Sequence, residues 1–154
     1  MGERVFETSV RVRYKETDQM GVVHHTNYIV WFEVGRTDLL RQLGLSYRDL
    51  EARGILLPVV DLSCRYAEAA HYDDEIRVLT RIADLNPGKI VFSYEIRRKS
   101  DDVRLARGTT THLWVNREMK RMNIRRTYPE LYEMLTAVRQ EEGAGACSGS
   151  SSCS

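Results

Sequence analysis

The sequence predicts an α+β domain in which a curved antiparallel sheet packs around one long helix, and three observations carry that expectation. Residues 26–43 place apolar side chains at helical spacing, whereas several other runs alternate with a period of two. These runs come in the order strand, long helix, then an antiparallel meander of four or five strands. At 154 residues and 42% hydrophobic content, the chain can bury one sizeable core and is too short for two.

Taken in order, residues 5–14 set Phe6, Thr8, Val10, Val12 and Tyr14 on one face and Val5, Glu7, Ser9, Arg11 and Arg13 on the other, which is the pattern of a half-buried strand. The strand ends near Lys15. Residues 16–25 contain Gly21 and no helical period, so they form a loop. Thr26 or Asn27 then caps a helix whose apolar face is Tyr28, Trp31, Phe32, Gly35, Leu39 and Leu43, with Gly44 as its stop. A glycine at position 35 costs helix stability and points to close approach against the sheet. Ser46 opens a short helix over 47–53, ended by Gly54.

Beyond it the chain is β-rich. Strands are expected over 55–68, with Pro58 near the start, and over 75–85; Asn86-Pro87-Gly88 then turns the chain so that Ile90, Phe92, Tyr94 and Ile96 share a face. Ser100-Asp101-Asp102 leads into a strand over 103–115, where Val103, Leu105, Thr109, Thr111, Leu113 and Val115 alternate with Arg104, Ala106, Gly108, Thr110, His112 and Trp114. A short strand over 120–124 follows. A helix over 128–140, with Pro129 in its first turn and Leu131, Met134, Leu135 and Val138 at helical spacing, closes a domain spanning 1–141. The Gly/Ala/Ser/Cys tail over 142–154 has almost nothing to bury, and disorder is expected there.

Composition removes several function classes. Lys and Arg number 23 against 22 Asp and Glu, so a net charge of +1 gives no general drive toward nucleic acid or an anionic membrane. No run approaches the length of a membrane span and the start lacks the layout of a secretory signal, which places the protein in the cytoplasm without stable membrane insertion. The three cysteines, Cys64, Cys147 and Cys153, fit no metal pattern and read as free thiols. No metal site is expected: His24 and His25 are adjacent and share no helix face, and His71 and His112 lie far off in sequence.

The chemistry concentrates in one segment. Tyr14, Glu16, Thr17, Asp18, Gly21, Val22, Val23, His24, His25, Asn27 and Tyr28 bring two carboxylates, a glycine and two histidines into a loop just before a helix N-terminus. The unpaired N–H groups and positive dipole end of a first helical turn can polarise a carbonyl and stabilise an oxyanion. A nearby carboxylate can act as general base on water, or attack the carbonyl itself. An isolated loop aspartate is nonetheless more often a turn or cap residue, and a strand-end tyrosine is more often core with its hydroxyl at the boundary.

The segment resembles the active-site motif of the 4-hydroxybenzoyl-CoA thioesterase family, particularly its YbgC-like branch associated with the Tol-Pal system. Tyr14, Asp18, Gly21, Val22, Val23, His25, Asn27 and Tyr28 match it, and the likeness spans roughly residues 5–138. Two departures are Glu16-Thr17-Asp18 where many members carry Asp-Thr-Asp, and His24 where many carry Tyr. The first bears on loop geometry, the second on the acyl pocket.

The resemblance implies a hotdog fold, pairing into dimers or dimers of dimers (homotetramers), with acyl-CoA bound at the subunit interface. It implies catalysis by Asp18 as base or nucleophile, a carbonyl-polarising N–H at His25, and Tyr14 beside them. Gly21, Val23, His24, Asn27 and Tyr28 would contact substrate. Lys89, after the Asn-Pro-Gly turn, is the first candidate for the CoA phosphates, followed by Arg97, Arg98, Arg121, Arg125 and Arg126. The expected reaction is hydrolysis of an acyl-CoA thioester to CoA and a carboxylic acid, with no cofactor beyond the CoA of the substrate. The rival readings are action on acyl groups carried by acyl carrier protein, and a non-catalytic acyl-CoA- or protein-binding module.

Overall fold

The computed structural model describes residues 4–147, with side chains through residue 139. The elements are β1 (Phe6–Arg11), α1 (Thr26–Gln42), α2 (Tyr47–Ala52), β2 (Val59–Tyr66), β3 (Glu75–Asn86), β4 (Lys89–Arg98), β5 (Arg104–Leu113), α3 (Ile124–Thr127) and α4 (Pro129–Cys147). The five strands make one antiparallel sheet in the order β1-β3-β4-β5-β2. The expected meander of four or five strands is therefore limited to β3, β4 and β5. The segment containing α1 and α2 carries the chain from β1 at one edge to β2 at the other.

The period-two runs decide which side of the sheet meets α1. Ile76, Val78 and Ile82 of β3 and Ile90, Phe92, Tyr94 and Ile96 of β4 are all buried, and α1 presents Tyr28, Trp31, Phe32, Gly35, Leu39 and Leu40 to them. Gly35 is required by that contact. A Cβ there would collide with Thr80 Oγ1 and lie 2.8 Å from Val78 Cγ1, so the helix backbone rests directly on β3. Phe32 stacks on Tyr94 at 4.4 Å between ring centroids, nearly parallel at 9°. Burying this set of large side chains is the main stabilisation, at about 1.5–3 kcal/mol for each.

Turn chemistry sets the connections. Asn86 Oδ1 accepts the N–H groups of Gly88 and Lys89 at 2.8 and 2.9 Å, closing the β3–β4 hairpin. Gly44, at φ 84°, ends α1, and the Ser46 side chain caps α2 by accepting the Asp49 N–H at 3.0 Å.

Several expectations shift. β1 stops at Arg11, and Tyr14–Glu16 form a turn of 3-10 helix, which swings Tyr14 out to 77% exposure. β2 begins only at Val59. The strand expected over 120–124 is a single bridge, Val115 to Arg121, because Asn123 caps α3 by accepting the Arg126 N–H and Ile124 is buried. α4 continues to Cys147, past the expected end at 140; positions 148–154 of the tail, with Cys153, lie outside the described residues. No helix among the described residues is long and apolar enough to cross a membrane.

The sheet also encloses a chain of polar groups. His112 is fully buried; its Nδ1 lies 3.0 Å from the Leu57 carbonyl, which can only accept, so Nδ1 carries the proton and Nε2 accepts from Thr110 Oγ1 at 2.9 Å. With its proton so committed, Thr110 Oγ1 accepts from the Tyr94 hydroxyl at 2.6 Å, and Arg36 donates to Tyr94 at 3.5 Å. Burial, opposed by the Leu57 contact and assisted by Arg36, holds the His112 pKa below its ordinary value of 6.5. The neutral ring belongs to the folded state, so its contribution is complete above that ordinary value. It is lost as pH falls toward the lower folded value, because only the unfolded chain takes up the proton. We expect melting temperature between pH 8 and 5 to fall more steeply in the parent than in His112→Gln. The difference should reach at most about 1.4 kcal/mol per pH unit, and parallel melting profiles would disprove it.

Candidate active site

The loop between β1 and α1 is folded around Glu16 rather than Asp18. Glu16 is 4% exposed and its carboxylate accepts from the Arg13 N–H at 2.7 Å, from Arg13 Nη2 at 3.3 Å and from Trp31 Nε1 at 3.3 Å. Its own carbonyl accepts the His24 N–H and Asn27 Nδ2, both at 3.0 Å. One residue thus ties the loop to the first turns of α1, and a buried carboxylate with this many donors is stabilised where a lone one would not be. The position at which the sequence departs from the Asp-Thr-Asp pattern is a structural clamp.

Asp18 stands two residues further on, exposed at the rim. Its Oδ1 accepts the N–H groups of Met20 at 2.8 Å and Val22 at 3.2 Å, and its N–H donates to the Val22 carbonyl at 2.8 Å. This small turn needs Gly21 at φ 79°, a conformation few other residues adopt. Bridges from Thr17 to Val23 and from Val22 to His71, with the Val23 N–H donated to the Ala70 carbonyl at 2.9 Å, fasten the loop to residues 70–71. Asp18 therefore does act as a turn residue, through one oxygen. Its Oδ2 takes no hydrogen bond among the described residues.

At the head of α1 the expected Thr26 or Asn27 cap is replaced by His25, which has helical φ/ψ and no side-chain cap bond. Asn27 turns inward to hold Glu16 and His24, and His24 Nδ1 accepts the Thr26 N–H at 3.3 Å. His24 stacks on His25 at 4.3 Å. The His25 N–H is donated to no acceptor among the described residues, whereas the His25 carbonyl accepts from the Tyr66 hydroxyl at 3.1 Å.

Beside this helix start lies a cavity of about 240 Å³ lined by Val23, His25, Tyr28, Tyr66 and residues 67–69. Tyr28 is fixed by accepting the Ala70 N–H at 3.0 Å, and Tyr66 lies 5.2 Å from Tyr28 between ring centroids. Partial desolvation, aided by Cys64, shifts the Tyr66 hydroxyl pKa upward, so it remains a neutral donor. Val23, His25 and Tyr28 are thus brought together. Asp18 and Gly21 stand in the adjoining turn, His24 and Asn27 hold the helix start, and Tyr14 lies outside against Tyr72 at 5.7 Å.

Lys89 is not near this cavity within one chain. It begins β4, and Arg98, which donates to the Ala69 carbonyl by the cavity, ends it; the ten-residue strand places about 30 Å between them. Arg97 and Arg98 are committed to carboxylates, Arg97 to Glu95 and Asp102 and Arg98 to Asp74 and Asp101. Tyr66 and the 67–69 segment went unrecognised in the sequence. A strand tyrosine 41 residues after His25 carries no local sign of that contact.

Residues 12–138 match the thioesterase-like superfamily. The chain is 41% identical over 127 residues to YneP of Bacillus subtilis strain 168, named as a candidate acyl-CoA thioesterase, covering 82% of this chain and 91% of that one. It is 32% identical over 96 residues to the acyl-CoA thioester hydrolase YbgC of Escherichia coli O157:H7, covering 62% of this chain and 72% of the relative. Among solved structures, the DHNA-CoA thioesterase of Staphylococcus aureus superposes with a TM-score of 0.85 at 32% identity, covering 92% of this chain and 95% of that one.

Proposed function

The chain belongs to the thioesterase-like superfamily and has its hotdog fold, and from that premise we propose that it hydrolyses an acyl-CoA thioester to free CoA and a carboxylic acid. The observation that carries this reading is the His25 N–H, unclaimed at the first turn of α1 in a residue that lines the cavity. A thioester carbonyl accepting that N–H would have its developing oxyanion held by the donor and by the helix dipole. The names of the relatives support CoA as the carrier.

Asp18 supplies the carboxylate. Its Oδ1 is anchored to the turn and Oδ2 is open to take a proton from water as the water oxygen attacks, or to attack the carbonyl directly. When the tetrahedral centre collapses, the C–S bond breaks and the CoA sulfur leaves as thiolate. On the general-base route Asp18 hands it the proton taken from water and the acid is free. On the direct route solvent protonates it, and water then splits the Asp18–acyl anhydride to release the acid. Tyr28 and Val23 wall the acyl group. The step draws on no metal or redox group.

The proposal includes a dimer. β2 is an edge strand with Val59, Val60, Leu62 and Tyr66 exposed by 39–52%, a surface that invites a second strand. Antiparallel pairing of two β2 strands would set the β4 start of one chain, with Lys89, at the same end of the joined sheet as the Tyr66 cavity of the other. That arrangement gives Lys89 a route to the substrate which the single chain lacks.

The test is thiol release from short, medium, long and aromatic acyl-CoAs, run beside the same acyl groups on acyl carrier protein. Saturable release from at least one CoA ester is expected. Release from carrier protein alone would replace the carrier in this reading, and release from neither would overturn it.

A further inference from the structure

The face of the sheet turned away from α1 holds a groove of about 600 Å³ across β2, β3, β4 and β5. Arg65 of β2 and Arg107 of β5 are direct cross-strand partners in it, so their side chains leave the same face side by side. Like charges directly opposite one another repel. Neither guanidinium has an ion pair or hydrogen bond with any described residue. The next residue across the sheet from Arg107 is Glu95, and it is already held by Arg97 at 2.9 Å and Arg104 at 3.6 Å. The row beneath consists of hydroxyls: Ser63, Thr109 and Ser93 are successive partners, with Ser63 Oγ 3.0 Å from Thr109 Oγ1. Two guanidiniums without an ion pair among the described residues, above a row of hydroxyl donors, match the chemistry of phosphate oxygens.

Position narrows the phosphate donor. Arg65 directly precedes Tyr66, and alternate side chains of a strand leave opposite faces, so the groove and the cavity at His25 lie on the two sides of one strand end. The ladder stops there at Tyr66 and Ala106, and the Ala67 and Glu68 N–H groups both turn to the Leu105 carbonyl, at 2.9 and 3.2 Å. We infer that the Arg65–Arg107 pair holds the nucleotide phosphates of CoA on the outer face of the sheet, while the thioester lies on the α1 side of the same strand end. This rests on the acyl-CoA reading above.

The test compares the parent with Arg65→Gln, Arg107→Gln and the double variant, using one acyl group on CoA and on pantetheine, with CoA binding followed by calorimetry. In the double variant KM for the CoA ester should rise at least about tenfold with kcat within about twofold, and kinetics on the pantetheine ester should not change. The salt dependence of KM seen in the parent should flatten. Both arginines are exposed and unpartnered, so unchanged melting temperatures check folding, and Arg65→Lys with Arg107→Lys should restore most of the affinity. An unchanged KM, or an equal rise on the pantetheine ester, overturns the site. The two readings also fail separately: arginine-dependent CoA binding without hydrolysis removes the thioesterase and keeps the site. Hydrolysis with equal CoA binding by parent and double variant does the reverse, and a parent that neither cleaves nor binds overturns both.

Discussion

Asp18→Asn should lower kcat on the best acyl-CoA by about 10²–10⁴, the range for losing a positioned acid–base group. The substitution isolates chemistry from structure. Asn retains an oxygen at Oδ1, so the bonds from the Met20 and Val22 N–H groups survive and the turn at Gly21 keeps its form. Melting temperature and oligomer size should therefore match the parent. Asp18→Ala, by contrast, leaves both N–H groups unanswered and should also loosen the loop, a cost of about 1 kcal/mol. KM should change little, because the cavity walls, Val23, Tyr28 and Tyr66, are untouched. A kcat within tenfold of the parent would leave Asp18 as a turn residue only. In a single turnover in ¹⁸O-labelled water, label entering Asp18 identifies direct attack with water opening the anhydride at the Asp18 carbonyl, whereas general-base catalysis leaves Asp18 unlabelled and places the label in the released acid.

Much of the fold is legible because the sequence pattern and the packing agree. β3 and β4 alternate cleanly, since each lies inside the sheet with one face under α1, and Gly35 announces the contact it permits. β5 is harder to read. Its residues meeting α1 and the core include Ala106, Gly108, Thr110 and His112, small or polar, because Phe32 and the Tyr94–Thr110–His112 chain occupy the space that larger apolar groups would fill. Thr109, Thr111 and Leu113, apolar enough to suggest a core face, are only half-buried. The place of β2 is hidden for a different reason: strand order depends on tertiary contacts, and nothing in a run of residues states which neighbour it pairs with.

At the site the motif located the loop, but residue types could not tell its two carboxylates apart. Glu16 is buried through Trp31, 15 positions away, and Asp18 is exposed, a difference made by the 3-10 turn at Tyr14. Tyr66 and the Arg65–Arg107 pair reach their places only through strand pairing. The place of the loop was therefore readable from local pattern, and long-range assembly was not.

That assembly depends on one backbone approach, and Gly108→Ala should break it. A Cβ at position 108 would collide with the Ser63 carbonyl oxygen and lie 2.7 Å and 2.9 Å from ring carbons of Phe32. The Phe32 ring has no free direction, being fully buried and stacked on Tyr94. The Ser63 oxygen is backbone, fixed by the β2–β5 ladder in which Cys64 pairs with Gly108. With neither neighbour able to yield, the strand must separate or the helix must lift, and overpacking of this kind costs about 3 kcal/mol. For a domain of this length the melting temperature should fall by roughly 6–12 °C. β2 should open first, because the added Cβ strikes its Ser63 carbonyl and the β5 ladder is the one that ties β2 to the rest of its own sheet. Amide exchange should therefore accelerate over Val59–Tyr66 before it does in β3 or β4, and thiol release should fall with it, since Tyr66 walls the cavity and holds the His25 carbonyl. A variant with parent-like melting and parent-like protection in β2 would show that the β2–β5 contact can relax, and that the site does not depend on it.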